Sequence, residues 1–207
     1  MTHADTAAPL SARDAVFTEE LPGLGKLRLI PLAPESDADL LHGWVREDRA
    51  RFWGMQSMSR DEVRDIYLFV DSLDTHHAFL MSLDHEPVGL FQTYEPLQDP
   101  VAEAYPARAE DTGMHLLLAP AARPVRNFTA TLLGGLVRFL LSDPAKDRVV
   151  AEPDARNSKA IGRLVGFGFE AGASVQLAEK EAQLVFLTRE RFESRRPGLH
   201  GRPDRQD

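Results

Sequence analysis

The 207-residue chain contains no cysteine. That absence excludes disulfides, thiolate metal centres and a cysteine nucleophile, and it fits a reducing compartment. Aromatic side chains are sparse, at 8%, with only two tryptophans. Cations are outnumbered: the formal net charge is −8, the reverse of the basic footprint carried by a nucleic-acid binder. No apolar run approaches the roughly 18 residues of a membrane span. Residues 1–15 lack both the cationic start and the apolar centre of a signal peptide. These absences lead us to expect a cytoplasmic protein with neither a nucleic-acid nor a membrane partner. What is present is a 43% hydrophobic share, enough for the core of one domain. Residues 1–15 are small and polar, and 194–207 are rich in Arg, Pro and Gly with little to bury. Both are expected as tails around a domain over 16–193.

Along that domain, period-2 alternation and turn signals predict strands at 17–21, 26–30, 77–83, 87–94, 112–118, 148–152, 175–177 and 183–187. Ser36 or Asp37 is placed to cap a helix through Val45, with Leu40, Leu41 and Trp44 on its apolar side. Ser59 with Glu62 forms a capping-box pattern before a second helix carrying Val63, Ile66, Tyr67 and Val70. Asp84-His85-Glu86 reads as a tight hairpin turn, and 96–110 as a long acidic loop. A third helix is predicted over 128–141. Gly134-Gly135 inside it implies close packing, since each glycine costs about 1 kcal/mol there relative to alanine. Asn157 caps a fourth helix that ends at Gly166 or Gly168.

The chemistry concentrates in two stretches. Asp111-Thr-Gly-Met-His115-Leu-Leu-Leu-Ala-Pro120 is a strand with a histidine at its centre, followed by the basic turn Arg123-Pro-Val-Arg126-Asn127 and a helix. Ala151-Glu-Pro-Asp154-Ala-Arg-Asn157 is another strand end leading into a helix. Neighbouring strand ends with helices behind them form a natural ligand crevice, which His115 and Asp154 would face. Residue types alone favour His115 as a satisfied core histidine and Asp154 as a turn or capping residue before Asn157. Trp44, Phe52 and Trp53 read either as core or as pocket wall. His76 and His77, adjacent in a strand, point to opposite faces, and no carboxylate has suitable spacing, so no metal is expected.

The order β-α-α-β-β-β-α-β-α-β-β resembles the GCN5-related N-acetyltransferase fold, an α/β (α+β) architecture with a mixed, mainly antiparallel central sheet flanked by helices. Asp154-Ala-Arg-Asn157-Ser-Lys-Ala160-Ile161-Gly-Arg-Leu164-Val-Gly-Phe-Gly168-Phe169 is similar to the helix whose apolar side lies beside acyl-CoA in that family. Four further segments resemble its siderophore-biosynthesis branch, the desferrioxamine type most closely. They are His42-Gly-Trp44, Arg51-Phe-Trp53-Gly-Met55, Thr75-His-His-Ala-Phe79 and Gly113-Met-His115-Leu-Leu.

The resemblance implies an acyl-CoA co-substrate, acetyl or succinyl. The acceptor would be of the N-hydroxycadaverine or N6-hydroxylysine type, acylated to a hydroxamate by direct transfer. It implies His115 and Asp154 as the active pair and the amides near Leu117 and Leu118 as oxyanion donors. Arg123, Arg126, Asn127, Phe128 and Asn157 would hold the CoA. Trp44, Phe52, Trp53 and His76 would line the acceptor pocket, with Asp99 and Glu103 of the acidic loop drawing a distal ammonium. The family's CoA loop reads Q/R-x-x-G-x-G/A, and this sequence supplies the arginine but neither glycine. Two alternatives stand beside this one: an aminoglycoside or other small-amine acetyltransferase, and a non-catalytic acyl-CoA-binding module. The expected assembly is a monomer or homodimer.

Overall fold

The computed structural model describes residues 10–121 and 125–195. Arg123, with its expected phosphate role, lies outside the described residues, as do 1–9 and 196–207 of the expected tails. The strands are β1 (Phe17–Leu21), β2 (Gly25–Pro31), β3 (His76–Leu83), β4 (Glu86–Tyr94), β5 (Asp111–Leu118), β6 (Arg148–Ala151), β7 (Glu170–Gln176) and β8 (Glu181–Thr188). The helices are α1 (Pro34–Val45), α2 (Arg60–Asp71), α3 (Phe128–Leu140), α4 (Ser158–Phe167) and α5 (Arg189–Ser194), with a 3-10 stretch at Asp48–Trp53. One eight-stranded sheet runs β1-β2-β3-β4-β5-β6-β8-β7. Its pairs are antiparallel except β5–β6, which is parallel.

Alternation along the strands sorts the apolar residues onto two faces. Leu27, Leu29, Met81, Phe91, Met114 and Val149 pack against Leu132, Leu133, Leu136 and Val137 of α3. On the opposite face Leu80, Leu90 and Leu117 meet Leu41, Trp44 and Val45 of α1 and Val63 and Tyr67 of α2. Each such side chain contributes about 1.5–3 kcal/mol on full burial. Gly135 is the close approach expected of the glycine pair: a Cβ there would lie 3.0 Å from Leu27 Cδ2 and 3.1 Å from Leu21 Cδ2. Gly134 meets only Arg138 of its own helix.

Several expectations are corrected. Helix α1 starts at Pro34, ahead of Ser36 and Asp37, because proline suits the first helical position. Asp37 reaches back to accept the Ala33 amide at 2.8 Å and the Arg13 guanidinium at 2.7 Å. Arg28 donates to the Leu10 carbonyl at 2.8 Å. Residues 10–13 are therefore tied to the domain, and the expected tail over 1–15 stops short of them. Strand β7 begins at Glu170, earlier than expected, because its exposed edge carries almost no apolar alternation. Helix α5 was not anticipated; Thr188 caps it by accepting the Arg191 amide at 3.2 Å, and Phe192 is buried. The Ser59–Glu62 capping box forms, with Glu62 accepting the Ser59 amide at 2.7 Å.

What positions the site is the parallel seam. Strands β5 and β6 pair only from Asp111↔Arg148 to Gly113↔Val150 and then part. The closed end is tied by buried Asp111, which accepts Arg148 Nε at 2.7 Å, the Tyr105 hydroxyl at 2.9 Å and the Arg108 amide at 3.0 Å. The same contacts anchor the long loop. Among the described residues, no helix is long and apolar enough to cross a membrane.

Candidate active site

A cavity of about 780 Å³ fills the gap where β5 and β6 part. Alternation along β5 makes it a passage between the two sheet faces. His115 and Leu117 face the α1/α2 side, with Trp53, Phe52 and His76. Met114, Leu116 and Leu118 face the α3/α4 side, with Thr129, Leu133, Ala160 and Leu164. His115 thus stands where the two sides of the passage join.

His115 is a third exposed, and its Nε2 is in hydrogen-bond contact with Oε1 of Glu152. Glu152 follows β6 directly and is almost wholly buried. Its other oxygen accepts the Tyr94 hydroxyl at 2.6 Å, and Lys180 Nζ lies 3.8 Å from Oε1. Burial alone would raise this carboxyl. The charge and hydrogen bond of His115, then Lys180 and Tyr94, overcome that and hold it at about 2. Burial, followed by the Glu152 charge, pushes the Tyr94 phenol well up, so it remains a donor. An anionic acceptor on Nε2 sets the imidazole tautomer and leaves Nδ1 as the basic atom. Among the described residues, none takes a hydrogen bond from Nδ1.

Gly113 explains how this set assembles. Tyr94 pairs with Gly113 across β4 and β5, and its ring lies over the glycine. A Cβ at Gly113 would fall 2.1 Å from Tyr94 Cζ. The missing side chain lets the phenol cross β5 to reach Glu152, and His115 then follows on the same face. The Tyr94 ring lies 5.0 Å from the His115 ring and stacks on His76 at 5.8 Å. Trp53 meets His115 edge-on at 6.3 Å and is held by its own Nε1 donating to Tyr67 at 3.2 Å.

Asp154 lines the cavity but does not orient His115; Glu152 does. Asp154 accepts Arg156 through Nε at 2.9 Å and Nη2 at 2.7 Å, together with the Arg156 amide at 2.9 Å. The Arg156 hydrogen bonds hold its carboxyl at about 2. Phe52, Trp53, His76, Leu117, Leu118 and Asn157 also line the cavity. Asn157 caps α4 by accepting the Ala160 amide at 3.2 Å. Trp44 does not line it; the inner side of α1 carries it into the core. Phe128 packs against the α3 core, and Arg126 and Asn127 are exposed outside the lining.

Asn127 is left-handed, at φ 59°, a conformation that asparagine tolerates where glycine is usual. The turn into α3 is thus made without the glycines the family's loop carries. At the two ends of the acidic loop, Glu95 pairs with Lys146 and Asp111 with Arg148, so neither is free for a ligand. Asp99 pairs with His76 at 3.3 Å behind the cavity wall, and Glu103 is exposed away from the lining. Sequence reading missed Glu152, Tyr94, Lys180 and the rim cations Arg49, Arg51, Arg156, Lys159 and Arg163. The signal for Glu152 was parity: Val149 and Ala151 face the α3 core, which turns residues 150 and 152 to the His115 side.

The amide of Ala119 donates to Val88 at 2.8 Å. In the regular β4–β5 register, amides of alternate residues share an edge. Leu117 therefore faces β4, while the amides of Leu116 and Leu118 face the gap. The carbonyl of Leu118 accepts Arg49 on that same side. The pair expected as oxyanion donors is thus divided, with Leu118 on the open edge and Leu117 on the paired one.

A family model described as "Acetyltransferase (GNAT) domain" matches residues 33–177. The chain belongs to the GNAT acetyltransferase family. The GNAT chain is 27% identical over 162 residues to an Escherichia coli protein named N(6)-hydroxylysine O-acetyltransferase, covering 77% of this chain and 51% of that one. It is 31% identical over 120 residues to an Acinetobacter baumannii protein named N-hydroxyputrescine acetyltransferase, covering 58% and 57%. It spans about half the length of these two relatives. An aminoglycoside N(6')-acetyltransferase type 1 of Klebsiella pneumoniae is 26% identical, covering 80% of this chain and 85% of that one. An aminoglycoside acetyltransferase solved with coenzyme A matches this GNAT fold with a TM-score of 0.71 at 25% identity, over 82% of this chain and 98% of that one.

Proposed function

We propose that this GNAT protein transfers an acyl group from acyl-CoA to the nitrogen of a small N-hydroxylated amine, giving a hydroxamate. The observation that carries the reading is His115 in the β5–β6 gap, held on one nitrogen by anionic Glu152 and open on the other. The relatives named for N-hydroxylysine and N-hydroxyputrescine support the acceptor class. The pantetheine arm would enter from the α3/α4 face and the acceptor from the side of Trp53, Phe52 and His76. An N-hydroxy group lowers the basicity of its amine, so the acceptor is largely neutral near pH 7 and needs only a modest base.

The acceptor nitrogen attacks the thioester carbonyl and the N–C bond forms. The resulting oxyanion is met by the Leu118 amide on the open edge. The C–S bond then breaks, the nitrogen's proton passes to His115 Nδ1, and CoA leaves as thiolate to be protonated to thiol. No acyl-enzyme is needed.

The decisive experiment follows thiol release and the colour of the iron(III)–hydroxamate complex, over acetyl- and succinyl-CoA with N-hydroxycadaverine and N6-hydroxylysine. The plain diamines and an aminoglycoside complete the panel. We expect turnover of the hydroxylated acceptors, and His115→Ala should lower kcat about 10²-fold or more. A near-wild-type kcat in that variant removes His115 from the mechanism. A second reading, aminoglycoside acetylation, is favoured by the greater coverage of that relative; preference for the aminoglycoside over every hydroxylamine would select it. Acyl-CoA binding without turnover of any acceptor would select a binding module.

A further inference from the structure

An open recess of about 450 Å³ adjoins the mouth of the passage and is lined by Arg51, Phe52 and Arg156. All three also line the main cavity. The Arg51 guanidinium lies 4.6 Å from the centre of the Phe52 ring, and that of Arg156 lies 5.7 Å from it. Two like charges therefore meet around one ring, which attracts each through its π face. One carboxylate stands between the two, and it goes to Arg156: Asp154 takes Arg156 in a two-point contact, while Arg51 forms no ion pair among the described residues. Phe52 is fixed by the 3-10 stretch that also sets Trp53 against His115. The recess is therefore in register with the reacting centre, on the acceptor face of the sheet.

Charge around it runs against the chain as a whole. Net charge is −8, yet Arg49, Arg51, Arg156, Lys159, Arg163 and Lys180 outnumber Glu152, Asp154 and Glu179 along the cavity. The acidic-loop residues that would have received an ammonium are paired elsewhere or face away, as described above. We propose that Arg51, with Phe52 and Arg156, forms a subsite for a carboxylate carried by one of the two substrates. A guanidinium with open donors over an apolar ring matches a planar carboxylate at the end of a short aliphatic chain. That carboxylate has two sources, the free end of a dicarboxylic acyl group or the α-carboxylate of an amino-acid acceptor. The inference rests on the acyl-transfer reading and names its substrate class.

The test is a two-by-two comparison with the full-length protein. Donors are acetyl-CoA and succinyl-CoA; acceptors are N-hydroxycadaverine and N6-hydroxylysine; the readout is kcat/KM. Wild type should favour the carboxylate-bearing member of at least one pair by about tenfold or more. The axis on which the preference falls identifies the source. In Arg51→Gln that ratio should collapse towards one, while Arg51→Lys should retain part of it. Arg51 is exposed, so both variants should melt as wild type does, which checks folding directly. Turnover without preference on either axis overturns the subsite and leaves acyl transfer standing. A preference that survives Arg51→Gln also overturns it. Absence of thiol release in all combinations removes the acyl-transfer reading, and the subsite with it.

Discussion

At the scale of the residue, two carboxylates lining the cavity have been sorted by their partners. Glu152 is tied to His115 and Asp154 to an exposed arginine. Both are held at about 2, but for different reasons: His115 leads the downward causes at Glu152, Arg156 hydrogen bonding at Asp154. Replacing Glu152 with Gln removes the anionic acceptor that fixes the imidazole, and we expect kcat to fall about 10–100-fold. Asp154→Asn should cost less, since a neutral amide still accepts from Arg156. The acid behaviour follows by linkage. A carboxyl held at about 2 in the fold, against about 4.3 when free, lends stability that is complete above the free value. That stability is lost as pH falls through the folded value. Melting temperature should therefore drop between these limits in wild type and drop less steeply in Glu152→Gln. Asp154 titrates in the same window and keeps part of the slope. Equal slopes in wild type and Glu152→Gln would remove Glu152 from the linkage.

At the scale of the element, the function of β5 depends on what Gly113 lacks. In Gly113→Ala, the added methyl would occupy the place of a buried Tyr94 ring. Overpacking of this kind costs about 1–3 kcal/mol, and displacing the ring breaks its hydrogen bond to Glu152. We expect a lower denaturation midpoint together with a lower kcat, whereas Tyr94→Phe should lower kcat with a smaller loss of stability. A Gly113→Ala protein with normal kcat would show that Tyr94 does not act on the site. Such elements differ in how legible they were in the sequence. The Ser59–Glu62 box, the β3–β4 hairpin and the Asn157 cap are local, and each could be read from a few adjacent residues. His115 was legible as a polar residue amid apolar neighbours on a strand. Its partner was not, because Glu152 is 37 residues away and is brought close by a parallel pairing that leaves no local pattern. The acidic loop misled for a related reason. The carboxylates at its two ends, Glu95 and Asp111, answer to Lys146 and Arg148, and Asp99 within it answers to His76, all distant in the chain.

At the scale of the whole molecule, a chain of net charge −8 gathers cations around one passage. A field of that shape repels anions at long range from most of the surface and attracts them at the cavity mouth. Lys159 and Arg163 lie on α4, and Arg126 just before α3, on the side assigned to the CoA arm. The phosphates of CoA are the anionic groups that this side would meet, and helix α3 offers its amino end beside them. Screening acts over about 10 Å at 0.1 M salt, so kcat/KM for acyl-CoA should fall as salt rises. A pantetheine thioester carries the same reacting bond without the phosphates, and its kcat/KM should be nearly flat across the same range. The double variant Lys159→Gln, Arg163→Gln should raise KM for acyl-CoA and reduce the salt slope, with kcat changing less, as expected for loss of uniform binding. The comparison of donors separates steering from a general salt effect on the fold. Equal slopes for acyl-CoA and the pantetheine thioester would show that the cations on this side do not read the phosphates.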